Sequence, residues 1–115
     1  MSYDIRLAVK VDGYDGYAVV AEPQWSSPTY NLGKMFRACT GWDFKQSEYY
    51  KCSEIIGNVE HGIRELRTHP GRYKEFEPDN GWGTISSAIT SLESLRECIY
   101  ETAEYIPLEF LYMRW

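Results

Sequence analysis

A chain of 115 residues is long enough to close one hydrophobic core and too short for two, so a single domain spanning 1–115 is expected. Its apolar fraction is 43%, with no run near the roughly 18 residues that a membrane span requires, and no membrane partner is expected. The net charge of −5 argues against a nucleic-acid polymer, which needs a positive surface to neutralise phosphates, but leaves room for a small anion held by a few local donors.

In chain order, Tyr3, Ile5, Leu7, Val9 and Val11 alternate with Asp4, Arg6, Ala8 and Lys10, the period-two pattern of a strand with one buried and one wet face. Met1-Ser2 lead straight into this pattern, so no secretory leader is expected. Asp12-Gly13 and Asp15-Gly16 supply turn chemistry, and Tyr17 to Ala21 reads as the return strand of a hairpin. Leu32, Met35, Phe36 and Cys39 share one face of a short helix closed by Gly41, and Trp42 to Tyr50 reads as a loop. A second helix starts at Ser53-Glu54, buries Ile55, Ile56, Val59, Ile63 and Leu66, and stops at His69-Pro70-Gly71. A helical turn follows around Arg72 to Phe76, then the longest helix, roughly Ile85 to Ala103. Leu108 to Trp115 alternates as a final strand, with Leu111, Met113 and Trp115 on one side. The expected fold class is α+β: a small, mainly antiparallel sheet, made of the hairpin and the C-terminal strand, with two to three helices packed on one face.

Two turns stand out as candidate ligand-binding elements. In Pro78-Asp79-Asn80-Gly81-Trp82-Gly83-Thr84, glycines flank an aromatic ring, which permits close backbone approach, and the first N–H groups of the helix that follows can receive an anion. In Ser26-Ser27-Pro28-Thr29-Tyr30-Asn31, Asn31 is placed to cap the segment starting at Leu32. Asn31 is most simply a cap and Tyr30 a core aromatic with a satisfied hydroxyl. If the fold brings both turns together, Thr29, Tyr30, Asn31, Asn80, Trp82 and Thr84 offer amides, hydroxyls and a stacking ring, and Trp25 and Lys34 flank the first turn. Arg96 falls inside the apolar stripe of the long helix, where a permanent charge needs a carboxylate, a bound anion or a route to solvent.

Ten tyrosines and four tryptophans raise the aromatic share to 16%, which serves either a tyrosine-rich core or stacking and contact surfaces. Catalytic equipment is not expected: there is no G-x-S-x-G, no G-x-x-x-x-G-K-[ST] loop and no convincing acid pair. No metal or cofactor is expected either, because His61 and His69 lack metal-ligand spacing. Cys39, Cys52 and Cys98, odd in number and without C-x-x-C spacing, fit reduced, packed thiols in a cytoplasm.

Met1-Ser2-Tyr3-Asp4-Ile5, Thr29-Tyr30-Asn31-Leu32-Gly33-Lys34-Met35-Phe36, Tyr73-Lys74 leading to Pro78-Asp79-Asn80-Gly81-Trp82-Gly83, and the helix containing Leu95-Arg96 together cover about half the chain. Through these segments the sequence resembles a group of small proteins of largely unassigned function encoded by bacteriophages and prophages. The group's first turn usually reads Asn-Tyr-Thr-Tyr-Asn, whereas here Ser27-Pro28 precede Thr29. The resemblance implies action in the host-cell cytoplasm and a binding role during infection: counter-defence by sequestering a small anionic, nucleotide-type immune signal without cleaving it. The alternative is a protein-interaction module that inhibits a host defence protein. A homo-oligomer is left open.

Overall fold

Alternation in the N-terminal segment sends Ile5 and Leu7 into the core, and strand β1 (Arg6–Lys10) begins between them. The computed structural model describes residues 1–13 and 16–115, so Asp15 of the expected hairpin turn lies outside the described residues. Strand β2 (Tyr17–Ala21) pairs antiparallel with one edge of β1, and β4 (Tyr112–Arg114) pairs antiparallel with the other. A three-residue strand, β3 (Tyr49–Lys51), closes the sheet against β4, giving the order β2-β1-β4-β3 with every pairing antiparallel.

Three helices complete the α+β fold: α1 (Gly33–Thr40), α2 (Cys52–Thr68) and α3 (Ile85–Ala103). Helix α1 ends where Gly41 takes a left-handed conformation at φ 72°, a C-terminal stop that glycine adopts without a Cβ penalty. Helix α2 lies between the other two and packs on both. That closeness depends on Gly62, where a Cβ would stand 2.8 Å from Thr40 Cγ2 of α1 and 3.3 Å from Leu92 Cδ1 of α3. The inward side chains of the sheet, including Leu7 and Met113, share one core with Phe36, Ile55, Leu66, Leu92 and Ile99 of the helices.

The sheet departs from the expected pattern in five places. Residues 2–5 leave the β1 ladder and run beside 26–29, with Tyr3 N–H donating to Pro28 O and Ile5 N–H to Ser26 O, each at 2.8 Å. Ala8, expected on the wet face, is fully buried. Tyr17 and Tyr49 reach across that outer face and stack at 3.7 Å, and Tyr112, opposite Ala8 in the ladder, meets Tyr17 edge-on. These rings give a small sheet a second cover that alternation alone does not encode. A register shift in the β1–β2 pair leaves both Val19 and Val20 exposed, so β2 does not alternate. Finally, Tyr49–Lys51 is a strand where a loop was expected, and the final strand is shortened to Tyr112–Arg114 because Leu108–Phe110 forms a 3₁₀ turn. The side of that segment carrying Leu111, Met113 and Trp115 is fully buried, as its alternation predicts.

Candidate functional site

The loop leaving β2 is drawn along one face of α3. Trp25 N–H donates to Ser94 Oγ at 2.9 Å, and Ser26 Oγ donates to Glu22 Oε1 at 2.8 Å, fixing the entry to the first turn. The second turn meets the first at Gly83, whose φ of 107° is glycine territory. A Cβ there would lie 3.2 Å from Leu32 Cδ2 and 3.4 Å from Asn31 Cβ, so the absence of a side chain lets the two turns touch.

Between them opens a cleft of about 610 Å³. Trp25 and Trp82 both line it, 56% and 68% exposed. Hydroxyls line the rest: Ser26, Ser27 and Thr29 from the first turn, and Ser86, Ser87, Thr90 and Ser91 from the first turns of α3. Pro28, Leu32, Gly81, Gly83 and Gln24 complete the wall, so among the described residues no lining residue carries a charge.

Local hydrogen bonds explain why the turns hold this shape. Asn80 Oδ1 accepts the Trp82 N–H at 2.9 Å, a side-chain turn that orients the tryptophan. Thr84 caps α3: its Oγ1 accepts the Ser87 N–H and its carbonyl accepts the Ala88 N–H, both at 3.0 Å. The Ile85 N–H donates to Glu77 Oε2 at 2.9 Å. The expectation that this helix start would receive an external anion is thereby narrowed, because Glu77 and Thr84 already engage two of its first N–H groups, those of Ile85 and Ser87. The first turn needs a similar correction: Thr29, rather than Asn31, is its cap, with Oγ1 accepting from Asn31 N–H at 3.4 Å and the carbonyl from Leu32 N–H at 3.1 Å.

The remaining expected residues fall in other places. Tyr30, Asn31 and Lys34 line a second groove, with Tyr3, Arg37, Glu75 and Glu77. There Tyr30 packs edge-on against Tyr3 at 4.7 Å and its hydroxyl bonds Gln46. Lys34 and Arg37 face Glu75 and Glu77 in this groove, so its charges are mixed. Arg96 lines neither space; it pairs with Glu93 at 3.6 Å, and Glu93 is also held by Arg67 at 2.6 Å. Its partner is a carboxylate, but one on its own helix and away from the Asn80-to-Thr84 turn.

Groups with shifted protonation lie outside the cleft. Burial pushes the Cys39 and Cys52 thiols up to about 12 and raises Cys98 as well. Glu65 is held below the ordinary carboxylate range by the Tyr73 hydroxyl, which donates to it at 2.8 Å, with the Arg72 cation assisting. Among the described residues no group of three or more His, Cys, Asp and Glu is placed to hold a metal, and no helix is long and apolar enough to cross a membrane.

The residues missed from sequence are the α3 hydroxyls. Ser87, Ser91 and Ser94 recur at helical spacing beside the apolar stripe, a signal present in the sequence but easily read as ordinary helix surface. Ser91 and Ser94 are in fact buried beneath the Trp25 loop. Compared with known protein families, curated proteins and solved structures, the chain finds no match.

Proposed function

We propose that this protein binds a small nucleotide-type molecule through its ring system, between Trp25 and Trp82, and holds it without cleaving it. The observation carrying this reading is the meeting of two tryptophans from separate turns on one hydroxyl-lined cleft. Indole faces stack on flat rings, and serine and threonine hydroxyls serve as both donors and acceptors for ring heteroatoms and sugar hydroxyls. Cleavage calls for a nucleophile with an activating base or an acid–base pair, and the lining offers hydroxyls with no titratable neighbour in the wall. The resemblance to phage-encoded proteins supports taking the ligand to be an immune signal of the host, which makes sequestration in the host cytoplasm a counter-defence.

A second reading, a module that inhibits a host defence protein, is favoured by the exposure of the same two tryptophans, since such rings anchor protein interfaces. Titration with a panel of nucleosides and of linear and cyclic nucleotides, followed by tryptophan fluorescence and calorimetry, separates the two. Saturable binding is expected, weakened by about 1–3 kcal/mol in Trp82→Ala and in Trp25→Ala through lost stacking. No binding across the panel, combined with capture of a host protein that either substitution abolishes, would establish the interaction module instead.

A further inference from the structure

We infer that the cleft recognises the uncharged, nucleoside part of its ligand and that a phosphate adds no affinity there; this rests on the binding reading above. Three independent features point the same way. Among the described residues the wall between Trp25 and Trp82 contains no cation, so a phosphate entering it exchanges water for neutral groups, with no charge to offset its desolvation. The N-terminus of α3, ordinarily an anion-receiving end, has its Ile85 N–H bonded to the Glu77 carboxylate and its Ser87 N–H bonded to Thr84 Oγ1. The carboxylate of Glu77, whose other oxygen pairs with Lys74 at 3.5 Å, therefore already occupies the favourable end of the helix dipole and disfavours a second anion brought to the same turn. The chain as a whole is also acidic, which disfavours anion approach.

The wall suits the nucleoside instead. A base and a ribose together present one flat face and several hydroxyl or amide groups. Trp25 and Trp82 supply the aromatic faces, and Thr29, Ser86, Ser87 and Thr90 supply neutral hydrogen-bonding partners. For a nucleotide, the Glu77 charge keeps the phosphate off the start of α3 and leaves it toward solvent, so one site accepts ligands that differ only in how many phosphates they carry.

The test uses the intact chain and matched pairs, each nucleoside against its own 5′-monophosphate, at low and high salt. The expected result is that the nucleoside that binds does so at least as tightly as its monophosphate, with an affinity that does not change with salt. Glu77→Gln keeps an oxygen acceptor for the Ile85 N–H and removes the charge, so it should tighten the monophosphate several-fold and leave the nucleoside unchanged. A monophosphate that binds tenfold or more tightly than its nucleoside, with affinity falling as salt rises, overturns this inference while leaving the binding reading standing. An unchanged monophosphate affinity in Glu77→Gln, in a protein whose melting temperature is unaltered, also overturns it. Failure of every pair to bind overturns the binding reading and the inference together.

Discussion

The four tryptophans are divided between two regions that use the same chemistry in opposite ways. Around Trp115, which is fully buried, Phe44 stacks at 4.7 Å, Phe36 meets the indole edge-on at 5.2 Å and Tyr3 tilts against it at 5.3 Å. Trp42 joins the same cluster through Phe44 and Tyr50. At the cleft, Trp25 and Trp82 stand more than half exposed among hydroxyls and glycines. An aromatic excess is thus neither wholly a core nor wholly a contact surface: the tryptophans that pack on other rings belong to the core or lie against it, and the tryptophans set beside serine and glycine are left facing solvent.

That contrast can be broken by substitution. Trp115→Ala should lose about 3–5 kcal/mol in chemical denaturation, because a large buried ring leaves a cavity among its aromatic neighbours. Trp82→Ala should stay within about 0.5 kcal/mol of the parent, as an exposed side chain outside the core does. Comparable losses from the two would mean that the cleft tryptophan is structural.

The seam between helices gives the next largest effect. Gly62→Ala gains helix propensity, about 1 kcal/mol, but its new methyl would meet Thr40, Cys39 and Leu92 at 2.8, 3.2 and 3.3 Å. Overpacking of this kind costs about 1–3 kcal/mol, so a net loss is expected. A more stable Gly62→Ala would show that α2 can move away from its neighbours without penalty.

The thiols sharpen the core side of the comparison. Cys39 and Cys52 titrate near about 12 when folded against the ordinary 9.0, so folding favours their protonated form. A pKa raised by folding contributes stability that is complete below 9.0 and is lost as pH rises toward about 12. Native protein at pH 8 should therefore leave its cysteines unmodified by a thiol reagent until denaturant is added. Rapid native labelling would contradict the buried placement.

How much of this was legible in advance differs between the same two regions. The core was readable because periodicity reports burial: Ile5 and Leu7, Ile55, Val59, Ile63 and Leu66 of α2, the full extent of α3 and the buried side of Leu111, Met113 and Trp115 all follow from spacing, while Ile56 is only partly buried. Tyr49–Lys51 was not readable, since three residues carry too little period and the strand is defined by its partner β4. Ala8 was misread because its cover comes from tyrosines on three other strands. At the site, the glycines and Asn80 announced a shaped turn, yet which N–H groups remained free depended on Glu77, eight residues before the amide it satisfies.

Arg96 is the smallest expected effect. With Glu93 as a partly exposed partner, Arg96→Met should change stability by no more than about 1 kcal/mol and leave ligand affinity unaltered. Loss of binding in this variant, with the fold retained, would bring the arginine back into the site.

Whether Trp25 and Trp82 hold one ligand is read most directly by native mass spectrometry of the protein purified from infected, defence-active cells. A small bound mass is expected on the parent chain and not on the Trp25→Ala/Trp82→Ala double variant purified in parallel. The same bound mass on both proteins, or a host protein as the species retained by the parent, would contradict it.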